Sequence, residues 1–374
     1  MDALHIFGIG NARCFGMAKQ NISKAPFAPI RSRRLIRVGY VPLMDSAPLI
    51  VAKTNGFFEK YGVEVDLVRE IGWATVREKI RHGELECANA PASMVFELSC
   101  GMGVIPHECI TGIVTAHHGN AIILSNELWE MGVRDAFSFA RLVRSLADSR
   151  RFTMAGVLVY SSQNYLMRKW LRQGGVDPDR DVDMVMIPPP QVHLCLKAGH
   201  LDGFCVAEPW GSVAIAEGFS WSPQLTADLD PNHPEKVFLV RSDFDAERHD
   251  EHVALVAALR DSAAYCDDPA NREDLVRILA HKDFLNIRES VLRNALVGPY
   301  SMGYDRFRNG LDVIRFSDDE GNRPSLAKGR WALDEIFQNG LSASLAPQSD
   351  SRIRALYRED IFQEAEALRP LPGK

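Results

Sequence analysis

Short apolar runs rich in β-branched residues alternate along this chain with stretches whose apolar side chains recur every three to four positions. That alternation reads as strands joined by crossover helices in an α/β fold. It predicts a strand over 35–41, a helix over 48–61 that stops at Gly62, and a strand over 63–68. A helix then opens at Trp73 and closes at His82-Gly83, a short strand covers 86–90, and a helix follows around 91–100. Strands at Val114 and over 121–124 lead out of this first unit. A second series comprises helix 135–147, strand 152–156, helix 162–172 ending at Gly174-Gly175, strand 184–187, helix 190–198 and strand 203–206. A strand over 237–240 returns the chain to the first unit. The segments 252–265, 272–280 and 288–295 carry helical spacing, with Pro269 and Asn271 marking a break.

A chain that leaves one α/β lobe, builds another and returns by two crossovers predicts a two-lobed, hinged clamp with its ligand in the cleft. The expected division is a basic leader over 1–34, a first lobe from 35–125 plus 237–374, and a second lobe from 126–236. At 374 residues the chain exceeds one ordinary domain. Its 46% hydrophobic and 25% charged composition suits a globular core.

The formal charge of -6 is uneven. Residues 1–37 hold seven basic side chains and one acid, which leaves -12 for the remainder. So acidic a body repels phosphate backbones, and direct nucleic-acid binding is not expected of it. The seven cysteines (14, 87, 100, 109, 195, 205 and 266) form no CxxC pair and no metal spacing, which fits free thiols in the cytoplasm. Ser32-Arg33-Arg34-Leu35-Ile36 looks like a twin-arginine export signal. The residues after it read as a first core strand without a cleavage site, so a periplasmic location follows only if the true start lies elsewhere. No apolar stretch is long enough to enter and span a membrane. Neither a P-loop, a Gly-x-Ser-x-Gly elbow nor a dinucleotide fingerprint is present, and no enzymatic activity is expected. His193, Cys195 and Cys205 lack a fourth ligand and read as core rather than metal site. His117-His118 reads as a solvated turn.

Several long motifs occur in one order: Gly39-Tyr40-Val41-Pro42-Leu43, Ala47-Pro48-Leu49-Ile50-Val51-Ala52, Trp73-Ala74-Thr75-Val76-Arg77-Glu78-Lys79, Pro188-Pro189-Pro190-Gln191, Gly203-Phe204-Cys205-Val206-Ala207-Glu208-Pro209-Trp210 and His233-Pro234-Glu235-Lys236. With them, residues 37–369 resemble the nitrate- and bicarbonate-binding branch of the ABC-transporter solute-binding proteins, which also contains cytoplasmic nitrate sensors of the NasS type. The resemblance implies a periplasmic-binding-protein-like type II clamp, a nitrate or nitrite ligand and no cofactor or metal. Two partners are open. A sensor would control an ANTAR-type antiterminator, whereas a transport receptor would serve an ABC permease; the sensor is the preferred expectation.

Trp73 stands at a helix N-terminus, where free N–H groups and the helix dipole attract an anion, and the resemblance puts this tryptophan in the ligand pocket. Lys236, expected just before a strand, would supply the cation, and by resemblance the lysine of this motif contacts nitrate. Nitrate offers only acceptor oxygens, whereas bicarbonate also carries an O–H, so a site of donors favours nitrate or nitrite. Asn120 and Gln163 can donate from amide groups. Relatives usually place His at the position of Gln163, so any pH response carried by that histidine is lost here. Pro189 is expected to wall the pocket, and Glu208 either anchors the hinge or pairs with a cation. Trp73 and Asn120 are expected on one side of the cleft, and Gln163 and Lys236 near the other.

Overall fold

Two sheets organise the chain. In the computed structural model, residues 34–368 are described apart from 232, 310–312, 318–319, 321 and 342–347. The expected basic leader lies outside the described residues except for Arg34, whose guanidinium donates to the Glu86 carboxylate at 3.0 Å.

In chain order the strands are β1 (Ile36–Tyr40), β2 (Val65–Arg69), β3 (Cys87–Pro91), β4 (Cys109–His118), β5 (Asn120–Ser125), β6 (Phe152–Gly156), β7 (Val182–Met186), β8 (Gly203–Ala207), β9 (Ser220–Leu225), β10 (Pro234–Arg241), β11 (Tyr300–Gly303), β12 (Arg306–Arg308) and β13 (Ile314–Arg315). The first sheet runs β13-β4-β10-β3-β1-β2 and the second β7-β6-β8-β5-β9, while β11 and β12 form a separate hairpin. In the first, β1 is parallel to β2 and β3, and β10 is antiparallel to β3 and β4. In the second, β6 is parallel to β7 and β8, and β5 is antiparallel to β8 and β9. This is the two-lobed α/β arrangement expected.

Local chemistry sets the element ends. Asp135 starts the helix Ala136–Ser145 by a reciprocal capping box with Ser138. Ser161 caps Ser162–Gly174 by accepting from the Asn164 amide, and Gly175 ends that helix at a φ of 89°. The helix expected over 48–61 is two, Ala47–Thr54 and Phe57–Lys60, because Gly56 turns between them at a φ of 76°.

The crossing between lobes differs from the expected one. β5 belongs to the second sheet, so the chain changes lobe at Gly119 rather than after Ser125. Gly119 has a φ of 88°, and a Cβ there would approach Ile314 Cδ1 to 2.9 Å; glycine meets both demands. His117 and His118 end β4 and are buried rather than forming a solvated turn, because β13 pairs across them. The return crossing also comes early, since β10 begins at Pro234.

Nor does the segment 237–374 stay with the first lobe. The helix Ser242–Asp267 packs on Ala47–Thr54 and on β4, but β11 packs on β9 and the helix Leu326–Gln338 on Ser162–Gly174. Tyr304, at the hairpin tip, stacks on Trp129 of the second lobe at 4.1 Å. One apolar cluster joins first-lobe residues such as Val38 and Phe238 to second-lobe residues such as Tyr165 and Val206. A smaller one, with Leu124, Phe139, Phe152, Trp170 and Trp221, belongs to the second lobe. The six described cysteines are free.

Helix contact at the start of the second lobe is tight enough to test. A Cβ on Gly174 would lie 2.1 Å from the Ala136 carbonyl oxygen, and backbone cannot rotate away as a side chain can. Gly174→Ala is expected to destabilise the chain by ~3 kcal/mol, seen as a lower urea midpoint at unchanged slope. A midpoint equal to that of the parent chain contradicts this packing.

Candidate functional site

Successive residues of a strand point to opposite faces of its sheet, yet Glu235 and Lys236 meet side by side. The cause is irregular pairing: the register of β10 against β4 shifts between Pro234 and Lys236 and again between Lys236 and Val237. Such bulges re-aim side chains. Here the result is that Lys236 Nζ donates to Glu235 Oε1 at 2.5 Å.

Two amides from the second lobe reach the same carboxylate. Asn120, the first residue of β5, donates from Nδ2 to Glu235 Oε2 at 2.6 Å. Gln163, in the first turn of Ser162–Gly174, donates from Nε2 to Glu235 Oε1 at 2.5 Å and to Asn120 Oδ1 at 2.9 Å. The ammonium of Lys236 also pairs with Asp45 Oδ2 at 2.9 Å and lies 5.1 Å from the centre of the Trp73 ring. None of Asp45, Trp73, Asn120, Gln163, Glu235 and Lys236 is more than 1% exposed. Donors from both lobes thus form a buried cradle around one flat anionic group.

Two further contacts orient the cradle. His233 Nδ1 faces the Asp230 carbonyl at 2.7 Å; a carbonyl only accepts, so this nitrogen carries hydrogen. Its Nε2 then faces Glu235 Oε2 at 3.4 Å. Behind Asp45, Asn89 donates from Nδ2 to the Asp45 carbonyl at 3.1 Å, and its Oδ1 accepts from Thr115 Oγ1 at 2.6 Å.

Burial and charge act against each other here. Burial raises the Glu235 carboxyl, but Lys236 and His233 outweigh it and hold the group far below the usual carboxylate range. Burial likewise lowers the Lys236 ammonium, and Asp45 and Glu235 more than reverse that. Burial, together with the neighbouring Glu235 charge, outweighs the help that Asp45 receives from Lys236 and Ser46 and pushes it up to about 6. Two carboxylates therefore share one ammonium.

The structure brings together four of the expected residues, but not in the expected halves. Trp73 and Lys236 come from the first lobe, and Asn120 and Gln163 from the second, because β5 belongs to the second sheet. Lys236 lies inside β10 and is buried, rather than reaching in from a polar turn. Trp73 does open its helix, Trp73–Arg81, and its buried indole N–H has no hydrogen-bond partner. Pro189 is the buried first residue of the helix Pro189–Lys197. Its neighbour Pro188 meets Gly72 across the cleft, 3.6 Å from where a Cβ would stand. Glu208 lies away from the cradle: its carboxylate accepts from Tyr300 Oη at 2.6 Å and from the Ser212 amide at 3.1 Å. Its backbone joins the lobes, accepting from the Met44 amide and donating to the Gly119 carbonyl.

Asp45, His233 and Glu235 were not singled out by sequence reasoning. Asp45 had a signal, as a lone acid within the apolar stretch Val41 to Ala52; such a residue needs a buried partner. Glu235 had none, because strand alternation puts it opposite Lys236. Among the described residues, no group of three or more His, Cys, Asp and Glu is arranged to hold a metal. His193 instead stacks on Trp210 at 4.9 Å. A cavity of about 440 Å³ shares His233 with the cradle and is lined also by His117, Arg315, Lys328 and Trp331.

Removing the shared ammonium should be costly. Lys236→Met leaves two buried carboxylates uncompensated and is expected to destabilise the chain by ~3–5 kcal/mol, with part of that loss recovered by adding Asp45→Asn. Asp45 holds its proton more tightly in the folded chain, so its contribution lowers stability as pH rises from about 4 to about 6. Asp45→Asn should flatten that part of the stability profile in pH-dependent urea unfolding. An unchanged profile contradicts the assigned charge state.

Comparison with known proteins gives the site its context. The chain is 35% identical over 331 residues to the nitrate import ATP-binding protein NrtC of Synechocystis, covering 88% of this chain and 49% of that protein. It is 36% identical over 311 residues to the bicarbonate transport ATP-binding protein CmpC of the same organism, covering 82% and 46%. It thus spans about half the length of these relatives. The crystal structure of the periplasmic nitrate-binding protein NrtA from Synechocystis superposes with a TM-score of 0.85 at 24% identity, over 90% of this chain and 89% of that one, which shows the shared fold. The model of the NMT1-like family matches residues 31–280, about two thirds of the chain, and the protein belongs to that family.

Proposed function

We propose that this protein is a receptor clamp for a small planar oxyanion, nitrate or nitrite, held between the lobes. The observation that carries the reading is the convergence of Asn120, Gln163 and Lys236, from both lobes, on one planar carboxylate. Nitrate has the same flat, delocalised acceptor geometry. The unpartnered indole N–H of Trp73 supports it too, because a buried donor without a partner costs ~1–3 kcal/mol unless a ligand oxygen accepts from it. The names of the relatives point to the same chemical class, nitrate and bicarbonate.

Isothermal calorimetry with nitrate, nitrite and bicarbonate, and with tetrahedral sulfate as a shape control, tests the reading. Nitrate and nitrite are expected to bind more tightly than bicarbonate, and sulfate not at all. Trp73→Phe, which removes the N–H together with part of the buried ring, should weaken nitrate about tenfold or more. No heat from any of the three planar anions would refute the reading.

We further propose that anion occupancy is read by a second protein in the cytoplasm, an ANTAR-type antiterminator, rather than delivered to an ABC permease. Two relatives at above 30% identity are named ATP-binding proteins. The motif that binds nucleotide phosphates is absent from this sequence, so the half shared with these relatives is not their nucleotide-binding part, and the kinship to ATP-binding proteins supports a place of action where ATP is present. That favours a cytoplasmic site of action. A partner reports occupancy only if it binds the ligand-free and the ligand-bound clamp unequally. Size-exclusion chromatography of the purified pair should show one complex without nitrate and its dissociation with nitrate. A complex that never forms, or that survives saturating nitrate and nitrite, would shift the reading to the transport receptor.

A further inference from the structure

We propose that Glu235 is a specificity-determining internal competitor: its carboxylate fills the anion cradle when no ligand is bound, and the oxyanion binds by displacing it. The inference rests on the oxyanion reading of the cradle and adds what that reading leaves open, namely what the donors do between ligands and why the site would select flat anions.

Three observations support it. First, the nitrogen groups an anion would use are already engaged by Glu235. Asn120 Nδ2, Gln163 Nε2 and Lys236 Nζ all donate to it within 2.5–2.6 Å. Gln163 Nε2 has both its N–H groups engaged, by Glu235 Oε1 and Asn120 Oδ1, so a ligand can take this donor only by displacing one of them. Second, Glu235 leaves one donor over. Fixed to β10, its two oxygens do not satisfy the Trp73 indole N–H, which is fully buried and has no partner; a free anion with a third oxygen can. Third, charge forbids simple addition. Asp45 and Glu235 are two carboxylates against the Lys236 ammonium, with His233 Nε2 facing Glu235 alone. A further anion in this buried space would add repulsion, whereas exchange for the Glu235 carboxylate keeps the local charge constant.

Two consequences follow. A site shaped to its own carboxylate admits flat anions that can use the same donors and disfavours tetrahedral ones. The hydrogen bonds of Glu235 to Asn120 and Gln163 also join the first lobe to the second, so the clamp is held shut without ligand by its own side chain.

Small-angle X-ray scattering and nitrate calorimetry on the full chain and on Glu235→Ala test this, with formate, the smallest carboxylate, as a replacement. The variant should have a larger radius of gyration in anion-free buffer, and millimolar formate should restore compaction in the variant while leaving the parent chain unchanged. Nitrate should bind the variant at least tenfold more tightly than the parent. Where the parent binds nitrate, equal or weaker binding by a folded variant overturns the proposal, as does a variant that stays compact and ignores formate. Nitrate binding equally to both proteins leaves the oxyanion reading intact and removes the competitor. Compaction by formate in the variant with no nitrate binding to either protein supports the competitor and removes nitrate as ligand. If Glu235→Ala fails to fold, Glu235→Gln keeps the volume, removes the charge and gives the same tighter nitrate binding or the same refutation.

Discussion

A carboxylate cut off from water is tolerated only where hydrogen-bond donors replace that water, and Glu235 draws its donors from both lobes at once. Lys236 comes from the same strand, while Asn120 and Gln163 come from the second lobe. The whole arrangement of the clamp serves this meeting. β10 brings the acid and the ammonium, Gly119 turns the chain so that Asn120 enters the second sheet, and Ser161 starts the helix that presents Gln163. If any of these failed, a buried charge would remain with too few partners, at a cost of several kcal/mol.

The balance in the cradle is kept close rather than generous. One ammonium stands against two carboxylates, and Asp45 is left with a proton affinity near neutrality. A scaffold built for stability alone would place apolar side chains here, since well-packed apolar substitutes for buried ion pairs are often neutral or stabilising. A balance that a small anion can tip is what a receptor needs. The amide of Gln163 does not titrate and keeps the second-lobe side of the cradle neutral at every pH of interest. Charge control therefore rests with Asp45, His233 and Lys236 on the first lobe.

Much of the fold is legible in the sequence because local physics sets it. The alternation of apolar strands and amphipathic helices marks both sheets, and the cap residues before 136 and 162 mark their helix starts. The residues of the anion cradle are partly legible for the same reason: Trp73 opens a helix, and Asn120, Gln163 and Lys236 are donors within recognisable motifs. What is hidden depends on register and on long-range packing. The lobe of Asn120 turns on one glycine and on which sheet β5 joins. The pairing of Glu235 with Lys236 turns on a bulge that defeats the period of two. The hairpin β11-β12, short and bridging to the second lobe through Tyr304 and Trp129, carries too few residues for periodicity to announce it.

The central claim is that the cradle is an anion site whose donors come from both lobes. It is tested most directly by a crystal structure of the chain grown in saturating nitrate. The account predicts a trigonal anion within hydrogen-bond distance of Lys236 Nζ, Asn120 Nδ2, Gln163 Nε2 and Trp73 Nε1, with the Glu235 side chain turned out of the cradle. Electron density showing Glu235 still held by these donors and no anion among them would contradict it.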